Sequence, residues 1–316
     1  MHLTEENLLL PVTKVSDLAE PVEKPIWLIQ HLWLNEGAGI IGGPAKGYKT
    51  WYGLEMCVAI ASGMPCLKRF PVLDPGPVLV YLAEDALPQL RKRVEGLCRY
   101  HGIEISSLMM HVITSPALRL DQEADQKALM NTVALLKPKV ILLDPLVRMH
   151  SLSENDSRDM AWLLGFLREL QRAHGTAVML THHASKRSHS RPGQALRGSG
   201  DLYAFVDCLA YLARDGDHST LTLEHRSAAA IEPLTLVLKS DNDSAHLEVA
   251  AMTPKKTGDD LSDQVLAFLG QRPWAETREK IREALKVKNE RLGRTLYKLK
   301  NEGILRHDDD GWSILP

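Results

Sequence analysis

The chain has 316 residues, 44% hydrophobic and 25% charged, with a formal net charge of −2. That is room for one large domain and a small one, and it excludes a chain-wide electrostatic affinity for nucleic acid, so any basic footprint must be local. The four cysteines, Cys57, Cys66, Cys98 and Cys208, are scattered without a C-x-x-C pair, which predicts reduced core residues of a cytoplasmic protein. The start, Met1-His-Leu-Thr-Glu-Glu, lacks the basic region of a signal peptide. No apolar run approaches about 18 residues, so neither secretion nor a membrane span is expected.

Residues 1–36 read as an arm and a lead-in element, broken by Pro11, Pro21 and Pro25. The stretch Pro25-Ile-Trp-Leu-Ile-Gln-His-Leu-Trp-Leu carries enough apolar bulk to pack on its own domain or on a neighbouring subunit. Ile40 and Ile41 predict a short buried strand. A glycine-rich loop and Lys49-Thr50 follow, and then Leu54, Cys57, Val58 and Ala61 at helical spacing. Strand, glycine-rich loop, Lys-Thr and helix are the parts of a phosphate-binding P-loop. Its backbone N–H groups and the helix N-terminus would cradle an anion over Gly43, Pro44, Ala45, Lys46, Gly47, Tyr48, Lys49, Thr50 and Trp51. Lys49 would reach the β- and γ-phosphates, and the Thr50 hydroxyl would hold Mg²⁺. The pattern is imperfect: Tyr48 stands where the second glycine is usual, and Gly47 comes one place early. A glycine-rich turn with a chance Lys-Thr is the alternative.

Further on, Val78–Leu82 predicts a buried strand ending at Glu84-Asp85, and residues 90–100 an amphipathic basic helix. Val112-Ile113 reads as a short strand and Asp121–Leu136 as a helix with acidic first turns. Val140-Ile-Leu-Leu ends in Asp144. Asp156–His174 is a helix closed by Gly175, and Ala177–Leu180 a strand ending at Thr181-His182-His183. Strands alternating with helices describe an α/β domain with a largely parallel sheet, whose ligands bind beyond the carboxyl ends of the strands. The polar stretch Ser185–Gly193 carries Lys186, Arg187 and Arg191 and reads as a loop; Arg197-Gly-Ser-Gly follows. From about Val206 to Val249, short strands with tight turns predict an antiparallel extension of the same sheet.

A polar linker, 251–260, leads to a compact pattern over 261–316: three helices (Leu261–Leu269, Thr277–Leu285, Asn289–Asn301) and a hairpin around Asp308–Gly311. This is the order of a winged helix-turn-helix. Nine basic and three acidic residues lie between Arg278 and Lys300, which makes this the local basic footprint. Arg291, Arg294 and Lys298 are the candidate DNA contacts. A protein-interaction module is the alternative.

The strings Gly43-Pro-Ala-Lys-Gly-Tyr-Lys-Thr, Leu82-Ala-Glu-Asp, Ile141-Leu-Leu-Asp-Pro-Leu, Leu180-Thr-His-His-Ala-Ser-Lys and Arg197-Gly-Ser-Gly, in this order, resemble the RecA-like ATPases. The closest resemblance is to the RepA-type hexameric replicative helicases of plasmids and phages, and it spans about Trp27–Leu238. It implies a RecA-like P-loop NTPase core with a mixed, largely parallel sheet over 37–250, beside the small C-terminal winged-helix domain. It implies ATP and Mg²⁺ as cofactors, single-stranded DNA as partner, and assembly into a hexameric ring. Residue by residue, it makes Glu84 the general base, Asp144 the Walker-B carboxylate and His183 the γ-phosphate sensor, with His182 the runner-up. It requires an arginine from a neighbouring subunit, either Arg226 or Arg197. Lys186, Arg187 and Arg191 would meet DNA phosphates. The partner of the winged helix lies outside the resemblance; a replication or mobile-element protein is one expectation. A DNA-bound ATP switch that unwinds nothing is the alternative function.

Overall fold

The computed structural model describes residues 12–18, 25–154, 156–183, 200–241, 244–250, 260–272, 274–301, 303–308 and 311–315. The chain divides into two compact units, Met1–Ala250 and Ala251–Pro316.

In the first unit a small hairpin, β1 (Trp27–Ile29) and β2 (Trp33–Leu34), precedes the main sheet. Its apolar side chains, Leu28, Ile29, Leu32 and Trp33, are fully buried in the unit's own core. The Trp33 indole N–H donates to the Gly37 carbonyl at 3.1 Å. Truncating such a buried indole to alanine costs about 3–5 kcal/mol. There follow β3 (Ala38–Gly43), α1 (Lys49–Ser62), β4 (Val78–Leu82), α2 (Leu87–His101), β5 (Met110–Val112), α3 (Glu123–Leu136), β6 (Val140–Asp144), α4 (Ser157–His174), β7 (Ala177–His183) and a short α5 (Gly200–Phe205). The unit closes with β8 (Cys208–Asp215), β9 (His218–His225), β10 (Leu234–Asp241) and β11 (Ser244–Val249).

The nine strands order as β11-β10-β9-β8-β3-β7-β6-β4-β5. Pairing is parallel from β8 through β5 and antiparallel from β8 out to β11. The central strands β4 and β6 read as unbroken apolar runs, up to Asp144, because both faces are covered. Alternation splits the parallel strands between two cores: Ile41 and Leu142 pack with α1, while Ile40, Ile141 and Leu143 pack with α4. α1 is buried on nearly every side, as its all-round apolar sequence requires. α4 starts on an Asp156 carboxylate that accepts from the Arg158 and Asp159 N–H groups, and it ends on left-handed Gly175.

The second unit contains α6 (Asp260–Gly270), α7 (Arg278–Leu285), α8 (Asn289–Asn301) and the hairpin β12 (Leu305–Asp308) and β13 (Gly311–Ile314). Leu261, Val265, Ile281, Leu292, Leu296 and Trp312 form its separate core. A three-residue turn, with Lys286 in the left-handed region, joins α7 to α8.

Candidate active site

β3 delivers the chain to the loop at Gly43. Gly43 has φ 154°, and a Cβ there would overlap the Leu212 carbonyl of β8, so this position needs glycine. Further along the loop, Lys46 (φ 60°) and Tyr48 (φ 67°) both adopt left-handed backbone. For a residue with a side chain, that costs on the order of 1–2 kcal/mol. Tyr48 thus keeps the backbone shape of the glycine usual at this position. Arg214 of β8 offsets the strain. Its guanidinium lies 4.7 Å from the Tyr48 ring centre and donates to the Lys46 carbonyl at 2.8 Å.

Lys49 opens α1 and is only 7% exposed. Its ammonium donates to the Gly43 carbonyl at 3.1 Å and the Pro44 carbonyl at 2.8 Å, and lies 3.4 Å from His183 Nδ1. An ammonium has donors only, so Nδ1 accepts and the His183 proton sits on Nε2. Burial pulls Lys49 below its usual pKa, against the attraction of Asp144 and Glu84. Burial first, and the Lys49 charge second, hold His183 below the ordinary imidazole value. His182 lies on the opposite face of β7, buried 3.6 Å from Glu154. Strand alternation therefore selects His183 for the cavity.

Asp144 ends β6 and is 6% exposed. The Thr181 hydroxyl donates to its Oδ1, while Oδ2 is buried and makes no hydrogen bond among the described residues. Burial raises this carboxyl above its ordinary pKa, opposed by the Thr181 and Thr50 hydroxyls and by Lys49. Leu82 of β4 pairs in register with Asp144, which places Glu84 two residues beyond it. Glu84 is 49% exposed and pairs with Arg148 at 2.6 Å. Its neighbour Asp85 is bound by Arg93, whose guanidinium also lies 5.2 Å from the Trp51 ring centre.

Lys49, Thr50, Glu84, Asp85, Asp144 and His183 line a cavity of about 360 Å³. Lys46, Lys49, Arg93 and Arg214 supply its positive charge. A buried, unshared Asp144 oxygen beside Thr50 fits a hydrated divalent cation, and the loop with Lys49 fits the phosphates of a nucleotide. Arg93, Arg148, Thr181 and Arg214 were not singled out from sequence. Arg148, Thr181 and Arg214 acquire their roles only from a strand order that sets distant segments side by side, while Arg93 meets Asp85 eight residues back. A basic residue closing β8, next to the loop strand, was the available hint for Arg214.

Arg226 follows β9, at the end of the sheet where β3 begins. Its N–H donates to the Asp207 carbonyl at 2.9 Å, and the Asp207 N–H donates to the Ala38 carbonyl at 2.7 Å. The Arg226 guanidinium is 54% exposed, lies 3.4 Å from the Asp207 carboxylate and donates to the Ala204 carbonyl. It is therefore on the far side of its own sheet from Lys49. Lys186, Arg187, Arg191 and Arg197 lie outside the described residues. In the second unit, Arg291, Arg294 and Lys298 are exposed along one face of α8, away from buried Leu292, Leu296 and Leu299. A concavity of about 450 Å³ runs beside them.

Residues 4–189, more than half of the chain, match the family described as AAA domain. Among solved structures, the chain is similar to a DnaB-like replicative helicase, described with its interactions with primase. The TM-score is 0.52 at 15% identity, over 67% of this chain and 59% of that one. This chain therefore spans less than two thirds of that helicase's length. A second similar structure is the RadB recombinase, with a TM-score of 0.49 at 15% identity, over 65% of this chain and 88% of that one. No described helix is long and apolar enough to cross a membrane. The P-loop geometry, the sheet order and the family match lead to one conclusion: the chain belongs to the AAA domain family, and its first unit has a RecA-like P-loop ATPase fold.

Proposed function

We propose that the protein is an ATP-hydrolysing DNA motor that works as a ring, in the manner of a replicative helicase of a plasmid, phage or other mobile element. The observation that carries this reading is the division of charge along the sheet. Lys49, Asp144, Glu84 and His183 gather at one end, and Arg226 is presented at the other. In this reading Lys49 offsets charge on the transferred phosphoryl group, and Glu84 orients water and takes its proton. His183 senses the γ-phosphate. Thr50 and Asp144 would hold magnesium, which supplies charge neutralisation at the phosphates when bound. Arg226 serves a neighbour's nucleotide, and Lys186, Arg187 and Arg191 meet single-stranded DNA.

The exposed basic face of α8 favours a second role, a duplex-DNA anchor of winged-helix type. If that anchor dominates, the protein is an ATP switch that assembles with a partner and unwinds nothing. A strand-displacement assay with native mass measurement, with and without ATP and DNA, separates the two. Ring assembly with ATP-dependent displacement supports the motor; a monomer that never displaces a strand overturns it. A mixing experiment tests the arginine. Lys49→Ala and Arg226→Ala proteins should each be inactive, yet regain partial hydrolysis when combined, because a Lys49→Ala subunit lends its Arg226 to an intact P-loop. Absence of recovery removes Arg226 from the site.

A further inference from the structure

Glu84, the candidate base, is held by a residue outside the cavity. Arg148 ends the 3-10 turn Leu146–Arg148 that follows β6, and its Nε donates to Glu84 Oε1 at 2.6 Å. Glu84 lines the phosphate cavity and Arg148 does not. Among the described residues, Arg148 takes only the Oε1 oxygen. Among the described residues, no hydrogen bond is made to Oε2. The turn carrying Arg148 is itself fixed, because the Arg148 N–H donates to the Pro145 carbonyl at 3.0 Å, directly after Asp144. The charge of Glu84 also acts on Lys49 and on His183. The carboxylate thus stands between the phosphate-binding cation and an outer guanidinium.

A glutamate two residues past a strand end, half exposed, would by itself sample several rotamers. A general base must instead sit within hydrogen-bond reach of one water. Arg148, itself 63% exposed, supplies that constraint through one charge-assisted hydrogen bond from Nε. It also ties Glu84 to the turn that directly follows Asp144.

We propose that Arg148 is the positioning residue for this ATPase: it holds Glu84 by Oε1 and leaves the second oxygen for the attacking water. The inference rests on the reading of Glu84 as the base. The test uses the full chain and compares Arg148→Ala, Arg148→Lys, Glu84→Gln and the double variant Glu84→Gln/Arg148→Ala. Steady-state ATP hydrolysis gives kcat and KM, and titration with a fluorescent ATP analogue gives affinity. Arg148→Ala should lower kcat by about 10- to 100-fold, part of what a general base contributes, with analogue affinity within roughly twofold of wild type. Arg148→Lys keeps the charge and a donating group without the planar geometry, and should recover part of kcat. The double variant should be no slower than Glu84→Gln alone, because the two residues act as one unit.

Unchanged or raised kcat in Arg148→Ala overturns the inference, the raised value marking a brake instead. Multiplying losses in the double variant also overturn it, since they place Arg148 in a separate role. Should Arg148→Ala fail to fold, Arg148→Lys decides alone: a lowered kcat at unchanged affinity supports the inference, and wild-type kcat overturns it. Wild-type hydrolysis by Glu84→Gln removes the base itself, and the positioning role with it. That failure is recognised independently of any Arg148 variant.

Discussion

Replacing Lys49 by alanine separates nucleotide binding from the stability of the fold. Lys49 is buried, and in the protein without nucleotide its ammonium is bound by the Gly43 and Pro44 carbonyls. Its removal leaves two carbonyls short of a donor, at roughly 1–3 kcal/mol, set against relief of a buried charge that burial already disfavours. The nucleotide-free melting temperature should therefore fall by only a few degrees, at about 2–4 °C per kcal/mol for a unit of this size. With ATP the contrast is larger. Wild-type protein at a ligand concentration about 100-fold above Kd gains about 2.7 kcal/mol, or roughly 5–10 °C. Loss of a charged hydrogen bond removes about 1.5–3 kcal/mol of that affinity, so most of the ATP-induced shift should disappear. Hydrolysis should drop by at least about 100-fold, the usual cost of removing one preorganised donor from developing charge. Differential scanning fluorimetry and phosphate release read the two effects. Wild-type turnover in Lys49→Ala would refute the assignment of the loop, and an undiminished ATP-induced shift would refute the phosphate contact.

Asp144→Asn should raise the nucleotide-free melting temperature at neutral pH while abolishing magnesium-dependent hydrolysis. Burial raises this carboxyl's folded pKa, so its charged form, present once pH exceeds that value, works against the fold; a lowered melting temperature counts against that account. His183 is depressed by burial and by Lys49. Its stabilisation is full above the unfolded value near 6.5 and declines as pH falls below it, as the unfolded chain takes the proton first. His183→Gln should therefore flatten the melting-temperature profile between about pH 7.5 and 5.5, and an unchanged slope refutes this. Changing Arg291, Arg294 and Lys298 together to alanine should reduce duplex binding and its salt slope by up to about 3, measured by fluorescence anisotropy. Equal binding and slope would move the DNA contact away from α8.

The alternation of elements was legible because central strands such as β4 and β6 are apolar runs and the helices carry their own stops, such as Gly175 after α4. The placement of Lys49, Thr50, Asp144 and His183 around one cavity was legible because the loop and the strand ends position them locally. Boundaries moved where local rules are permissive. α2 begins at Leu87, not near Leu90, because Pro88 suits a first helical turn and does not block it. The six-residue α5 has too few periodic positions to be read. The arginines around the site were illegible for a different reason. Arg214 meets Lys46, and Arg148 meets Glu84, across long stretches of chain. Only the order β8-β3-β7-β6-β4 brings those stretches together, and periodicity in a single segment carries no information about it.

The same order bears on why hydrolysis would depend on assembly. β3 has six residues, about 20 Å at the usual rise per residue. Lys49 lies just past its end, and Arg226 sits beside its start through Asp207 and Ala38. A guanidinium side chain spans far less than that, so Arg226 cannot reach the phosphates of its own subunit in this fold. Arg214, by contrast, is already at the loop in the same chain, but it is committed to the Lys46 carbonyl and the Tyr48 ring. An arginine needed at the γ-phosphate must then either leave its present partners, as Arg214 or Arg93 of the same cavity, or arrive from another copy. Arrival from another copy joins unlike ends of the sheet, a head-to-tail contact, and such contacts close into rings when their rotation permits. Hydrolysis whose specific rate is independent of protein concentration, down to the monomer, would instead assign the charge compensation to Arg214 or Arg93 of the same chain and remove Arg226 from the phosphate site.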